Sequence, residues 1–536
     1  MIEKVKIHSY RRFRDLTFEP HPRLNILVGE NESGKSTLLE AIGLALTGRL
    51  HGRAAIEELN PYWFNQAVSA EFFRERALGN AVALPEIHIE VFLEDCDAFA
   101  SLIGAHNSDS PTRACPGLSL RVVPNPEYAS EIEAHLASDT SIIPIEYYKV
   151  EWRSFADQVL NSRPKELTIA LIDSRTVRSS NGVDYHLRQI LSDHLAPDEK
   201  AAVSLAFRTV KEQMTATHLK SVNDKMAKLE GALDDKPISL GMDQSARGSW
   251  DTSVVPHVAE VPFAMAGQGQ QATIKIALAM SQRASAARVV MVEEPENHLS
   301  HTSLNILLSR IEALAGEAQQ LFITTHSSFV MNRLGIDGLK LISAGRAGSF
   351  KELSKETVEY FKKLPGYDTL RMVLADRFVL VEGPSDEILF ERFYRDAHGC
   401  RPIDHGVDVI SMRGLSLKRC LEMAKALGKR CAALRDNDDN DPSELIAELG
   451  DLVDDTTRKV FIGATSMGTT LEPQVVKANP DDALMRRVLG VTDRADLATW
   501  MTNDKTGAAL RIAEATERLT APTYFKEAIE FIRADA

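Results

Sequence analysis

One stretch decides the fold of the N-terminal half: Leu24-Asn25-Ile26-Leu27-Val28-Gly29-Glu30-Asn31-Glu32-Ser33-Gly34-Lys35-Ser36. An apolar strand ends at a glycine loop, and the segment from Ser36 to Leu46 then has helical periodicity. The loop fits G-x-x-x-x-G-K-[ST], in which backbone N–H groups and a helix N-terminus hold phosphate. We expect Lys35 to contact the β and γ phosphates of a nucleotide and Ser36 to bind Mg²⁺.

Three more pieces of a nucleotide site follow along the chain. A Gly/Gln turn, Gly267 to Gln271, opens an amphipathic segment. An apolar strand then ends at Glu293 and Glu294, where the first carboxylate can hold a Mg²⁺ shell and the second can polarise the attacking water. The next strand ends at His326. A lone histidine is usually a packing or surface residue, but this position favours a sensor of the γ-phosphate.

A second group of carboxylates lies in the C-terminal third. The strand Phe378–Val381 ends at Glu382, and a Gly-Pro turn leads to Asp386 at the start of a helix, so the two carboxylates should be close. Another apolar strand ends in Asp436-Asn437-Asp438. Packed carboxylates repel one another, and hard oxygen ligands suit Mg²⁺ or Mn²⁺. The pattern predicts a divalent metal site.

Two other interpretations of the acidic loop were weighed. An EF-hand would use Asp436, Asp438 and Asn440 as its first ligands. It fails because Asp441 stands where glycine is needed and Ala447 stands where the bidentate glutamate belongs. A merely solvated acidic loop remains the alternative.

Composition limits the class of protein. The chain has 536 residues, 44% of them hydrophobic and 26% charged, which excludes global disorder. The net charge of −14 requires any nucleic-acid binding to use a local basic face. No apolar stretch reaches the length of a membrane span, and the N-terminus lacks an export signal, so we expect a cytoplasmic protein with no membrane partner. The five cysteines form no C-x-x-C pair and are expected to be free thiols.

The four nucleotide-site pieces, in this order, resemble an ABC-type ATPase head of the RecF and SMC kind. The resemblance implies an ATP site and a homodimer or higher homo-oligomer, because the signature turn of one protomer completes the site of another. Glu293 replaces the more common Asp, and the signature lacks Leu-Ser-Gly-Gly, so slow turnover is expected. The implied ATP and Mg²⁺ contacts are Gly29, Asn31, Ser33, Gly34, Lys35, Ser36, Thr37, Gly267, Gly269, Gln270 and Glu293, with Glu294 and His326 as catalytic residues.

Glu-Gly-x-x-Asp followed by a D-x-D strand resembles a Toprim domain. With the ATPase head upstream, the whole chain resembles the OLD (overcoming lysogenisation defect) family of ATP-dependent nucleases, which includes the Gabija-type defence nucleases. The resemblance implies two-metal phosphodiester hydrolysis with Glu382, Asp436 and Lys505 as catalytic residues. The implied metal ligands are Glu382, Asp386, Asp436, Asp438 and Glu472, and Ser411 and Gly414 are weaker candidates for holding phosphate.

The predicted fold class is α/β: an ABC-type ATPase domain over 1–365, followed by a smaller parallel-sheet Toprim domain over 370–536. A helical block at about 186–245 is either a dimerisation insert or a helical face of the ATPase domain. The expected function is an ATP-regulated DNA endonuclease or nickase, acting on duplex DNA and plausibly serving anti-phage defence with a helicase or other partner. The alternatives are a DNA-sensing or repair ATPase clamp that cuts nothing, and a Toprim nuclease that cleaves RNA.

Overall fold

The computed structural model describes most of the chain in two compact units. The first unit comprises residues 1–27, 32–325 and 344–347, and the second comprises 28–31, 326–343 and 348–536. The residues described are 1–50, 52–80, 82–109, 114–137, 142–164, 167–173, 195–226, 239–245, 250, 257–258, 260–267, 269–271, 273–274, 287–297, 299–314, 319–334, 338–343, 345–349, 353–363, 367–492 and 495–534. The predicted domain limits, 1–365 and 370–536, stay a prediction.

Strands and α-helices alternate through much of the described chain. The strands are β1 (Ile2–Tyr10), β2 (Phe13–Phe18), β3 (Leu24–Val28), β4 (Arg49–Leu50), β5 (Arg53–Ala54), β6 (Ile87–Leu93), β7 (Ile103–Gly104), β8 (Cys115–Pro124), β9 (Tyr148–Ser154), β10 (Thr168–Asp173), β11 (His257–Val258), β12 (Val261–Pro262), β13 (Ala287–Glu293), β14 (Gln320–Thr324), β15 (Leu339–Ser343), β16 (Arg346–Ser349), β17 (Arg377–Val381), β18 (Val407–Ser411), β19 (Arg430–Arg435) and β20 (Arg458–Ile462). The α-helices are α1 (Lys35–Thr47), α2 (Ala55–Glu58), α3 (Gln66–Ala77), α4 (Ala129–Ala137), α5 (Pro197–Gln213), α6 (Lys220–Met226), α7 (His301–Leu314), α8 (Ser328–Leu334), α9 (Lys355–Lys363), α10 (Tyr367–Leu374), α11 (Pro384–His398), α12 (Leu417–Ala426), α13 (Pro442–Ala447), α14 (Leu471–Ala478), α15 (Asp482–Leu489), α16 (Leu497–Asn503), α17 (Lys505–Glu514) and α18 (Thr523–Arg533).

The first unit contains an antiparallel sheet and a parallel sheet. The antiparallel sheet has the order β2-β1-β6-β8-β7, with β9 also paired to β8. In the parallel sheet β13 lies between β10 and β14, and β14 pairs with β3. The register aligns Glu293 with Thr324 and Thr324 with Leu27. Because parallel strands end at the same edge, the carboxyl ends of these three strands meet.

The second unit contains a four-stranded parallel sheet of order β18-β17-β19-β20. Its strands are short apolar runs, such as Phe378–Val381, that are fully buried, as expected where helices cover both faces of a parallel sheet. Aromatic side chains of α11 and α18 pack together in the core, with Phe390 and Phe393 each 5.9 Å from Phe525 between ring centroids. At the carboxyl edge of this sheet, Glu382 directly follows β17 and Asp436 directly follows β19.

The observed elements agree with most sequence predictions. The runs Phe13 to Phe18, Leu24 to Val28 and Val407 to Ser411 predict strands with the limits that β2, β3 and β18 have. The predicted helix from Ser36 to Leu46 lies within α1. The density of charge between Ser349 and Gly366 predicts a poorly structured connection, but this segment contains the helix α9. Its first turn is capped by Ser354, whose hydroxyl accepts from the Thr357 N–H at 3.2 Å, and it buries Thr357 and Phe361 one turn apart. The cap and the buried pair are local signals that the charge density obscured.

The predicted helical block at 186–245 lies only partly within the described residues. Helices α5 and α6 belong to it, joined by a π-helical turn at Met214–His218. Both readings of the block, a dimerisation insert or a face of the ATPase domain, stay predictions. Among the residues described, no helix combines the length and the apolar character that crossing a bilayer requires.

Candidate functional site

The glycine loop of the predicted nucleotide site ends at a position that only glycine fits. Gly34 has φ +111°, and a Cβ placed on it would lie 2.8 Å from Cζ of the buried Phe13. Helix α1 begins at the next residue, Lys35, which is buried. The hydroxyl of Ser33 is also buried, and no hydrogen-bond partner for it is found among the described residues. An orphaned donor beside a helix N-terminus fits an anion such as phosphate.

The residues expected to hold Mg²⁺ in the ATPase site lie together. The Ser36 hydroxyl donates to the Glu293 carboxylate at the end of β13. A hydroxyl and a carboxylate are the two protein ligands that this class of site offers to Mg²⁺. Thr37 follows in α1 and is half-buried. Gly29 and Asn31 precede them in the loop that leads into α1, and they belong to the second unit.

The carboxylate of Glu294 is held in place by its neighbours. The Glu294 N–H donates to the Thr324 carbonyl at 3.0 Å, and its φ of 44° turns the chain away from β13. Asn297 Nδ2 donates to Glu294 Oε2 at 2.7 Å. A general base needs an orienting partner of this kind. His326 belongs to the second unit and is half-buried.

The predicted signature turn is exposed in the single chain. Gly267 and Gln270 are exposed, and no atom of the described residues lies within 4 Å of a Cβ placed on Gly267. The turn is shaped by Gln271, whose side chain donates to the Ala266 carbonyl at 2.8 Å, and the Gly269 carbonyl accepts from Thr273 at 2.9 Å. Gln268 lies outside the described residues. Of the three predicted contacts, Gly267 and Gln270 therefore remain accessible to another molecule.

Four carboxylates and one lysine converge at the carboxyl edge of the second unit's sheet. Glu382 follows β17, and its Oε1 accepts from the Asp436 N–H at 3.0 Å. Asp386, in the first turn of α11, accepts from the Gly383 N–H at 2.7 Å. Glu472, in the first turn of α14, pairs with Lys505 Nζ at 3.1 Å. The predicted residues of this group are thus brought together from five different segments.

Burial and neighbouring charges raise the pKa values of two of these carboxylates, Asp436 and Asp386. Burial raises the pKa of Asp436 to about 8, with further contributions from the charges of Glu382, Asp386 and Glu472. Burial likewise raises the pKa of Asp386 to about 6 against the opposing hydrogen bond from Gly383. Burial lowers the pKa of Lys505, but the neighbouring acids, Glu472 first, outweigh it, so the pKa of Lys505 rises.

The donor set has the chemistry that a divalent cation prefers, but among the residues described no three His, Cys, Asp or Glu side chains are already arranged to hold a metal ion. One lysine faces four carboxylates, so negative charge is in excess, and every donor is a hard oxygen of the kind that Mg²⁺ and Mn²⁺ prefer. Glu472 is nearly buried, and its second oxygen accepts from the Thr470 hydroxyl at 2.7 Å. A bound cation would offset both the burial and the neighbouring negative charges that raise the Asp436 pKa.

Two other predicted residues, Asp438 and Ser411, and the acid Glu387 next to Asp386 lie around this group without joining it. Asp438 is exposed, with φ 47° and its N–H donating to the Thr469 carbonyl at 3.3 Å. Glu387 pairs with Arg371 at 3.6 Å. Ser411, at the end of β18, is buried, and its hydroxyl has no hydrogen-bond partner within the described part of the chain. The role of Asp438 as a metal ligand stays a prediction.

Sequence reasoning missed two residues of the site. Tyr524 in α18 is buried, which raises the pKa of its hydroxyl well above the usual value, and the four carboxylates raise it further. Asn437 is fully buried between Asp436 and Asp438. The position of Asn437 inside D-x-D was a signal available in the sequence, whereas Tyr524 lies 88 residues beyond Asp436 and had none.

Comparison with protein families assigns both halves of the chain. Residues 4–79 match a model described as "AAA domain", and residues 165–332 match "AAA domain, putative AbiEii toxin, Type IV TA system". Residues 373–438 match "Overcoming lysogenization defect protein-like, TOPRIM domain". This is an OLD-like protein. Its ATPase domains precede an OLD-like Toprim domain, as the motif order predicted, and Glu472 and Lys505 lie beyond the residues that the Toprim model matches.

Similarity to individual proteins covers limited parts of the chain. The DNA replication and repair protein RecF of Alkaliphilus oremlandii is 37% identical over 49 residues, 9% of this chain and 13% of the relative. RecF of Pseudomonas paraeruginosa is 28% identical over 126 residues, 24% of this chain and 32% of the relative. The OLD-like protein thus matches less than two thirds of the length of either relative.

Two solved structures align with parts of the chain. The C-terminal region of the Burkholderia pseudomallei OLD protein aligns at 20% identity and TM-score 0.24, covering 30% of this chain and 98% of that one. The recombination mediator protein RecF-ATP aligns at 11% identity and TM-score 0.32, covering 65% and 98%.

Proposed function

We propose that the OLD-like protein is an ATP-binding ATPase and a divalent-metal-dependent endonuclease or nickase that cleaves duplex DNA. The observation that supports cleavage is the convergence of Glu382, Asp386, Asp436 and Glu472 beside Lys505. A clamp that only binds nucleic acid has no use for buried carboxylates that repel one another, because each costs stability without a cation. A role in anti-phage defence is part of the same proposal.

The Toprim group consists of Glu382, Asp386, Asp436, Glu472 and Lys505, and its members have distinct tasks in this proposal. Glu382, Asp386, Asp436 and Glu472 hold two Mg²⁺ or Mn²⁺ ions, which in such sites activate water and stabilise the leaving oxygen of an in-line displacement. Lys505 is 47% exposed while Glu472 is 5% exposed, so the lysine lies on the solvent side of the pair. Its ammonium can therefore contact a negatively charged phosphodiester and stabilise the negative charge that develops on the phosphate during cleavage.

The ATPase part has its own tasks. Lys35 and the loop around Ser33 and Gly34 bind the phosphates of ATP, while Ser36 and Glu293 hold Mg²⁺. Glu294, oriented by Asn297, positions the attacking water. The exposed Gly267 and Gln270 are free to meet the nucleotide of a second copy, which supports a homodimer as the ATP-bound form. Light scattering with and without a non-hydrolysable ATP analogue tests that assembly.

The test of the function is a cleavage assay on supercoiled plasmid, linear duplex, single-stranded DNA and RNA. Each substrate is incubated with Mg²⁺ or Mn²⁺, with and without ATP. We expect cleavage of plasmid DNA that Glu382→Gln abolishes while ATP hydrolysis continues. Asp439→Asn is the control, since Asp439 is an exposed acid of the same loop. Equal cleavage by Glu382→Gln would refute the assignment, and cleavage of RNA alone would change the substrate.

A further inference from the structure

The carboxylates of the Toprim group come from separate segments of the chain. Because the carboxylates repel one another when ionised, other contacts must hold these segments together. Asp436 lies in the loop after β19, whereas Glu472 lies on α14, which follows β20. When both are ionised and no cation lies between them, the Asp436 and Glu472 carboxylates repel each other, which favours separation of the two segments. The Lys505–Glu472 pair at 3.1 Å offsets part of the charge but does not connect the chain at Asp436 to the chain at Glu472.

Asn437 makes that connection. Its side chain is fully buried, and its Nδ2 donates to the Gly463 carbonyl at 2.9 Å and to the Gly468 carbonyl at 2.8 Å. Its Oδ1 accepts from the Asp439 N–H at 3.0 Å. One amide thus holds the D-x-D loop and both ends of the segment 463–468. Asp would lose both donated hydrogen bonds, and Leu would lose all three.

The segment 463–468 is in turn fastened to α14, the helix of Glu472. Gln474 is nearly buried, and its Nε2 donates to the same Gly468 carbonyl at 3.1 Å. The two glycines let the side chains approach: a Cβ on Gly463 would lie 2.0 Å from Gln474 Nε2, and one on Gly468, which has φ +124°, would lie 2.7 Å from Pro473 Cγ. The Asp436 loop and the Glu472 helix are therefore connected by hydrogen bonds from two side-chain amides, Asn437 and Gln474, to backbone carbonyls of the segment 463–468.

We infer that Asn437 is a positioning residue that holds the Asp436 loop against the Glu472 helix and so limits how far apart the proposed cation ligands can move. The inference rests on the proposed metal-dependent nuclease and adds the element that sets the spacing of its ligands. Outer contacts of this kind typically change metal affinity by about 10- to 100-fold when removed. Asn437 touches neither cation nor substrate.

Asn479 provides a matched control. It is also nearly buried, and its Nδ2 donates to the Val475 and Thr520 carbonyls, both at 2.9 Å, while its Oδ1 accepts from the Thr520 N–H at 2.7 Å. The two asparagines therefore make the same set of hydrogen bonds. Asn479 lies at the C-terminal end of α14, whereas Glu472 is in the first turn of that helix. Asn479→Ala should lower stability as Asn437→Ala does, without changing the spacing of the carboxylates.

The experiment measures Mn²⁺ binding to the full-length protein by electron paramagnetic resonance of the free ion, with thermal unfolding alongside. For Asn437→Ala we expect Mn²⁺ affinity to fall about tenfold or more, and for Asn479→Ala we expect no change. Should Asn437→Ala fail to fold, Gln474→Leu removes the second hydrogen bond to Gly468 and should weaken Mn²⁺ binding about threefold, in the same direction.

Three outcomes overturn the inference. They are a wild-type protein that binds no Mn²⁺, unchanged Mn²⁺ affinity in folded Asn437→Ala or Gln474→Leu, and an equal loss of affinity in Asn479→Ala. Failure of the proposed function looks different. In that case the wild type binds Mn²⁺, Asn437→Ala weakens the binding, and no nucleic acid is cut.

Discussion

Replacing Asp436 with Asn should make the metal-free protein more stable and remove its cleavage activity. The pKa of Asp436 is about 8 in the folded protein against an ordinary 3.8. Below pH 3.8 the Asp436 carboxyl is protonated in both the folded and the unfolded protein. Between pH 3.8 and pH 8 it is ionised only in the unfolded chain. Folding must then take up a proton, so the free energy of unfolding falls by about 1.4 kcal/mol per pH unit over this window and stays low above pH 8.

The size of the effect follows from the same pKa values. At pH 7 the penalty is about 1.4 × (7 − 3.8), or about 4 kcal/mol. A buried amide in place of the carboxyl still costs about 1–3 kcal/mol of desolvation, so the net gain of Asp436→Asn is about 1–3 kcal/mol. For a domain of this size that raises the melting temperature by roughly 2–10 °C.

The assay is thermal unfolding in EDTA at pH 5 and pH 8, repeated with Mn²⁺. We expect the advantage of Asp436→Asn over wild type to be larger at pH 8 than at pH 5, and to shrink or reverse with Mn²⁺, which stabilises only the intact site. Asp439→Asn, which removes an exposed charge from the same loop, should change little. A lower melting temperature for metal-free Asp436→Asn at pH 8, or no dependence of the difference on pH, would refute the reasoning.

Three further predictions concern single positions. Gly34→Ala should abolish binding of a fluorescent ATP analogue and destabilise the protein by about 1–3 kcal/mol, because its φ of +111° is strained for alanine and the new methyl meets Phe13; unchanged binding would contradict this. Arg392 is nearly buried and donates to four backbone carbonyls of 512–517 at 2.5 to 3.2 Å. Arg392→Lys should therefore lower the free energy of unfolding, measured in urea, by about 2–3 kcal/mol. A change near zero would show that the carbonyls have other partners. Lys505→Met should lower plasmid cleavage by about 100-fold or more while Mn²⁺ binding persists; loss of Mn²⁺ binding instead would make Lys505 a support for Glu472 rather than a phosphate contact.

Local patterns in the sequence were sufficient for the elements of the nucleotide site. Strand β3, the glycine loop and α1 follow one another within 24 residues, and each is specified by nearby residues: an apolar run, glycines and helical periodicity. The proximity of the Glu382 and Asp386 carboxylates was predictable for the same reason, since only a Gly-Pro turn separates β17 from α11. Where local signals conflicted, as in the charged segment that forms α9, prediction failed.

The amino-acid sequence by itself determined which residue types stand at the ends of the strands, and with them the OLD-like arrangement of ATPase and Toprim domains. Only the tertiary structure decided which of those residues meet. Glu472 and Lys505 join Asp436 because α14 packs against α16 and α17 packs against α11. Asn437 is buried, whereas Asp438 remains exposed. The physical reason is that hydrogen bonds and charge contacts between distant segments depend on how the helices pack against one another and on the sheet. Short-range periodicity in the sequence does not predict that packing.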